Sequence, residues 1–263
     1  MLGWSMNLFR IRGIQLQLHF TFFLLIAFIA QDGWAEARWA GLLWSVATVL
    51  AFFTCVVLHE LGHSLTAMRF GIGVRRILLM PIGGMAEFDD IPRQPLREFL
   101  MTIAGPAVNF AIVGALWFVP LGADNDVVLR YSLAGLVEQV FVANLVMGCF
   151  NLLPAFPMDG GRILRALLAT RLPYLRATLW AASVGKVLAG LGVVIALIAP
   201  RIGLTDEPLY MLAVLFSFIF IAGEIEYRAV KRREVEDAHW RDVVARLYVP
   251  NRATAEPPPV LFP

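Results

Sequence analysis

The chain has 263 residues, of which 59% are hydrophobic and only 16% charged, and its formal net charge is +2. Soluble domains run nearer half apolar and a quarter charged, so this composition excludes an ordinary soluble enzyme, and the small net charge argues against a nucleic-acid partner. The apolar excess is too large for a single core, and a lipid bilayer is its natural solvent.

A bilayer-crossing helix needs about 20 mostly apolar residues. In chain order the sequence predicts six: about 14–30, 39–68, 99–119, 133–153, 178–199 and 209–227. The first follows Arg10 and Arg12 as a signal peptide would, but Gln15, Gln17 and His19 interrupt the start of its apolar core, which favours a retained span. The second is longer than a bilayer requires, so its end should project into a cavity or the interface. Between the second and third, two short apolar runs flank Gly83-Gly84, a hairpin signal. Such a hairpin has two readings: a surface feature at the membrane edge, or a sheet edge that pairs with an extended peptide. After the sixth helix, about 235–248 is amphipathic and Pro257-Pro258-Pro259 follows. The expected organisation is therefore a membrane domain over 1–233 and a cytoplasmic tail over 234–263, a short helix and then disorder. Cys55 and Cys149 both sit in apolar runs and read as packing residues rather than a disulfide.

Loop charges give an orientation. Arg10 and Arg12 precede the first helix. Arg69, Arg75, Arg76, Arg93 and Arg97 lie between the second and third, and Arg162, Arg165, Arg171 and Arg176 between the fourth and fifth. Arg228, Lys231, Arg232 and Arg233 follow the sixth. The alternate loops carry only Arg38, Arg130 and Arg201. By the positive-inside rule both termini are cytoplasmic.

The chemistry centres on His59-Glu60-Leu61-Gly62-His63. On a helix, residues four apart share a face, so two imidazoles can bind one zinc ion while Glu60 takes a proton from water beside it. Histidines and a glutamate at membrane depth are costly, which favours a functional reading over an interfacial polar patch. Catalytic zinc takes three protein ligands and keeps one position open. His19 and His239 read better as an interfacial and a solvated residue, so the third ligand is expected to be a carboxylate: Glu138, Asp159, Glu224 or Glu226. Asp159 stands out. Pro154 and Pro157 break the fourth helix just before it, Gly160 and Gly161 follow it, and broken helices at membrane depth line protein cavities. It also falls about as far along its helix as His59 does along its own. Glu138, Glu224 and Glu226 sit nearer helix ends.

With HELGH on the second helix and Asn151-Leu152-Leu153-Pro154-Ala155-Phe156-Pro157-Met158-Asp159-Gly160-Gly161 on the fourth, residues 10–230 resemble the site-2 protease family of intramembrane zinc metalloproteases. Ala104-Gly105-Pro106-Ala107-Val108-Asn109, expected to open the third helix, and Gly83-Gly84 add lesser likenesses. The layout is closest to the compact prokaryotic branch. Many relatives there carry nucleotide-binding CBS modules after the last helix; none is visible here, nor an inserted PDZ module.

The resemblance implies an all-α polytopic membrane fold of six transmembrane helices with a small membrane-edge β-hairpin between helices two and three. It implies one Zn2+ per chain on His59, His63 and Asp159, Glu60 as general base, and Asn151 near the scissile carbonyl, where its amide would donate to the developing oxyanion. The expected activity is regulated intramembrane proteolysis of a transmembrane protein or peptide, in the cell (inner) membrane, with the site near the cytoplasmic side. The alternatives are a metal-binding transporter, disfavoured because the outer half of the membrane is nearly free of polar groups, and an inactive scaffold, which would have no use for Glu60.

Overall fold

The structure, a computed structural model, describes residues 4–247 apart from 82, 90–91, 120–131, 206 and 208. The expected disordered tail beyond Leu247, and the loop with Arg130, lie outside the described residues. Those described form four strands, Ser5–Ile11 (β1), Ile14–His19 (β2), Val74–Met80 (β3) and Gly83–Phe88 (β4). They also form six helices, Thr21–Arg69 (α1), Pro95–Leu116 (α2), Leu133–Asn151 (α3), Asp159–Ala169 (α4), Tyr174–Ile198 (α5) and Tyr210–Leu247 (α6). All of the helices except α4 are long and apolar enough to cross a membrane.

The 49-residue α1 is interrupted: Ala37 and Arg38 leave helical geometry, Arg38 with φ of +52°. The chain folds back there. Phe22 of the first half meets Phe53 of the second edge-on, with ring centres 4.5 Å apart. The reversal is tight because Gly33 and Gly41 face each other, and a side chain on either would strike the other's carbonyl. Large apolar side chains such as Phe28, Val187, Leu191, Val214 and Ile221 point outward along these helices. So much exposed apolar surface would be an aggregation liability in water and is the expected condition in lipid.

The first predicted span is corrected at its start. Residues Ile14–His19 are a strand, and the helix begins at Thr21. Ile14, Leu16 and Leu18 are buried while Gln15, Gln17 and His19 alternate with them. Those polar interruptions are the period of two of a half-buried strand. His19 Nδ1 lies 2.7 Å from Thr21 Oγ1 at the helix start, away from the other histidines.

A hairpin is present as β3 and β4, with Ile77 opposite Ala86 and Leu79 opposite Gly84, but Gly83 and Gly84, expected between its two strands, are themselves part of β4. The hairpin is not alone. β2 pairs with β3 in parallel and β1 with β2 antiparallel, giving one sheet in the order β1-β2-β3-β4. One face packs Ile14, Leu16, Ile77 and Leu79 on Val49, Phe53 and Val56 of α1. Arg76 ties neighbouring strands through Glu87 at 2.6 Å and Gln17 at 3.1 Å. Among the described residues no further strand pairs with β4, which forms the edge of the sheet.

Two more expectations shift. The Gly105-Pro106 stretch does not open its helix: α2 starts at Pro95, a position that suits proline because its missing N–H has no partner there anyway. Helix α6 continues without a break to Leu247, past the point where a separate tail was expected to begin. Cys55 is buried, Cys149 faces outward, and both are free thiols.

Candidate active site

His59 and His63 lie one turn apart on the second half of α1, with their rings at 85° and centres 4.7 Å apart. Asp159 arrives from the other side as the first residue of α4. The intervening turn is held in the protein interior, with Ala155, Phe156 and Met158 buried against Ala181, Ala182 and Ala189 of α5. Gly160 and Gly161 let α4 start directly on that turn: a side chain at Gly160 would strike the Leu152 and Leu153 carbonyls. Gly105 of α2 sits over the two imidazoles, where any Cβ would collide with His63 Nε2. Gly62 of α1 likewise meets the Ala104 carbonyl, so α1 and α2 approach backbone to backbone.

Three acceptor atoms converge there. His59 Nε2 and His63 Nε2 are 3.1 Å apart, and Asp159 Oδ2 lies 3.3 and 3.2 Å from them. The proton positions follow from the partners behind each ring. His63 Nδ1 is 2.8 Å from the Met101 carbonyl, which only accepts, so Nδ1–H donates. His59 Nδ1 is 2.6 Å from Asn109 Oδ1. Asn109 is oriented by donating Nδ2–H to Asn144 Oδ1 at 2.9 Å, and Asn144 donates in turn to the Val140 carbonyl at 2.8 Å. In the neutral tautomers that these partners select, both rings turn a bare lone pair toward the carboxylate, and buried Asp159 Oδ2 receives no hydrogen bond.

Three facing lone pairs repel one another unless a cation sits between them. Tetrahedral zinc with donors about 2.0–2.1 Å away sets those donors about 3.3–3.4 Å apart, close to the spacing found. His59, His63 and Asp159 form a group able to hold a metal ion among the described residues. The donor set of two imidazoles and one carboxylate suits zinc.

Glu60 lies outside this convergent group and reaches the sheet. Its Oε2 accepts the Ala86 N–H of β4 at 3.2 Å. Gly84 makes this approach possible, since a Cβ there would press on Glu60 Cγ at 2.8 Å. Asn151 ends α3 half-buried, and no hydrogen bond ties its side chain to another described residue. Of the other carboxylates weighed from sequence, Glu224 pairs with Lys186 at 3.0 Å and Glu226 with Arg165 at 2.7 Å. Glu138 is half-buried on α3 and outside the convergent group.

Sequence reasoning missed two supports of the site. Asn144 completes the relay behind His59, and its signal was an amide inside an apolar helix. Arg165, counted among the loop charges, is 1% exposed. Its Nη2 lies 2.6 Å from Glu98 Oε1 and its Nη1 2.7 Å from Glu226 Oε1. Its guanidinium stacks between Phe156 and Tyr174, 5.2 and 5.1 Å from their ring centres. It thereby fixes α4, and the turn leading to Asp159, against α2, α5 and α6.

His59, His63 and Asp159, a group able to hold a metal ion, lie among helices apolar enough for lipid, and the comparisons with known proteins give the family. The sequence model of peptidase family M50 matches residues 47–125 and 120–192. The chain is 39% identical to a zinc metalloprotease of Methanocaldococcus jannaschii over 88% of its own length and 62% of the relative's. It is 32% identical to stage IV sporulation protein FB of Bacillus subtilis over 55% of its length and 48% of the relative's. The solved site-2 protease from Methanocaldococcus jannaschii superposes with a TM-score of 0.56 at 36% identity, covering 85% of this chain and 95% of that one. The chain belongs to peptidase family M50, the site-2 protease family. It spans about three fifths or less of the length of these two curated relatives.

The relay behind His59 can be tested directly. Partners of this kind typically contribute 10–100-fold in metal affinity. Asn109→Ala should weaken zinc binding by about that factor, read by competition with a chromogenic chelator, with helix content unchanged.

Proposed function

We propose that the chain is an intramembrane zinc metalloprotease that hydrolyses a peptide bond in or near a transmembrane segment of a membrane-protein substrate. The observation that carries this reading is the set of three bare lone pairs at ligand-to-ligand spacing, enclosed by helices apolar enough for lipid. His59, His63 and Asp159 would hold one zinc ion per chain. When bound, zinc supplies Lewis-acid polarisation of the scissile carbonyl and of the attacking water.

Glu60 accepts the water's proton and passes it to the leaving amine as the C–N bond breaks. A transmembrane helix hides its peptide bonds in its own hydrogen bonds, so the substrate must unwind. The edge formed by β4 suits an unwound strand. Ala86 turns its N–H away from β3 to Glu60, and by the period of two Gly84 presents its backbone on the same side. A substrate strand added there lies against the base. Asn151 is the residue we assign to the oxyanion, its amide making no hydrogen bond to another described residue.

The two halves of α1 count as two crossings, which with α2, α3, α5 and α6 makes six. Six crossings and the arginine-rich alternate loops together support cytoplasmic termini, a sheet at the cytoplasmic membrane edge and a site near that face. The membrane domain over 1–233 would then be followed by a cytoplasmic tail over 234–263 whose first part, to Leu247, continues α6.

Metal removal tests the reading. Chelator-stripped protein should lose all cleavage of a single-span membrane reporter, and one equivalent of zinc should restore it. Cleavage that survives stripping contradicts the reading, and restoration only beyond one equivalent contradicts the stoichiometry.

A further inference from the structure

A cavity of about 390 Å³ opens between the two halves of α1, the β3–β4 turn and α3. Leu25, Val49, Phe52 and Phe53 make it apolar, and Pro81 closes one side. Two polar side chains, Thr48 and Gln139, interrupt the wall. Neither makes a hydrogen bond to another described residue. By contrast, Thr54, Thr66 and Thr178 each donate to the carbonyl four residues back in their helix. Gln139, in an apolar helix with no amide hydrogen bond to another described residue, is the stronger sign of a polar ligand.

Two independent routes lead from Glu60 to this cavity. Along α1, Val49, Phe53 and Glu60 share one face, placing the cavity about 10–16 Å from the base at 1.5 Å per residue. Along the sheet, Pro81 lies five residues before Ala86, the residue bonded to Glu60, or about 16 Å at strand spacing. A strand laid on the β4 edge therefore runs toward the cavity. At about 3.3 Å per residue it brings a side chain there about three to five residues from the bond facing Glu60. Phe53 is nearer the middle of α1's second half than Glu60 is, so this is the side of the bond toward the middle of the membrane.

We propose that this cavity is a substrate subsite: it takes a bulky apolar side chain, while Gln139 and Thr48 hydrogen-bond the unwound backbone beside it. The proposal rests on the protease reading above. A lipid acyl chain would fill the same apolar volume but leave the Gln139 amide unpaired, whereas an unwound peptide brings free N–H and C=O groups with it.

The test uses the full chain, zinc-loaded in lipid nanodiscs, and single-span peptides carrying Leu or Ala at each of the six positions on the mid-membrane side of the cut. Wild type should cleave the Leu peptide about tenfold faster at one of positions three to five, and Ala143→Phe, which fills the cavity, should bring that ratio to near one. In the Glu60→Gln form, a benzophenone side chain at the preferred position should crosslink to residues 133–151 or 39–69. That measurement decides the matter if Ala143→Phe fails to hold zinc. A flat wild-type preference, a ratio unchanged in zinc-loaded Ala143→Phe, or crosslinks elsewhere would overturn the subsite. So would a flat preference with rates that follow lipid acyl length. Failure of the protease reading looks different: zinc-loaded wild type then cuts none of the peptides.

Discussion

Glu60→Gln should lower the rate of peptide-bond cleavage by about 10²–10⁴-fold, the usual contribution of a positioned general base, while the purified chain still binds zinc as wild type does. The separation follows from geometry. Glu60 is not among the three convergent atoms; its carboxylate lies against the Ala86 N–H of β4. Glutamine keeps a carbonyl oxygen to accept that N–H and fits the space left by Gly84, so the sheet stays in place. What it loses is the ability to take a proton. Zinc content by elemental analysis and initial rates on a single-span reporter give the two readouts. Cleavage within tenfold of wild type would remove Glu60 from the base role, and lost zinc would mean that it supports the metal.

The largest stability effect is expected at Arg165. Arg165→Met leaves the Glu98 carboxylate, 2% exposed, without its cation. Breaking one side of a buried ion pair typically costs about 3–5 kcal/mol, because the remaining charge stays buried and uncompensated. Removing both charges is much milder, so Glu98→Gln added to Arg165→Met should recover most of the loss. Reversible unfolding in mixed detergent micelles measures both forms. The single variant should also bind zinc more weakly, since the Arg165 guanidinium stacks on Phe156 in the turn that delivers Asp159. A single variant as stable as wild type would show that the cluster contributes nothing to holding α4.

The convergence of His59, His63 and Asp159 was legible in the sequence because its signals are local. Two histidines at helical spacing and an aspartate in a proline-broken turn announce themselves by residue type and by their cost in lipid. The supports of that group were less legible because they depend on partners 35 to 67 residues away, Asn109 with Asn144 and Glu98 with Arg165. Arg165 was misread for a physical reason: the positive-inside rule counts an arginine by position between spans and cannot see that this one is buried between two aromatic rings. In the fold, the helices expected over 99–119, 133–153 and 178–199 were found to within several residues, as Pro95–Leu116, Leu133–Asn151 and Tyr174–Ile198. The start of the first expected span was not, since Leu16 and Leu18 extend an apolar run that only the alternating Gln15, Gln17 and His19 mark as a strand. Pairing of β2 with β3 was beyond reach from sequence, because parallel strands joined through the whole of α1 leave no local turn signal.

The central claim is that this site cuts other proteins in or near their membrane-spanning segments. It is tested most directly by comparing new peptide termini in membrane fractions from cells carrying the wild-type chain and cells carrying Glu60→Gln. Termini inside or bordering an apolar segment of a membrane protein, present only with the wild type, are the predicted result. Identical termini in both, or differences confined to soluble proteins, would contradict it.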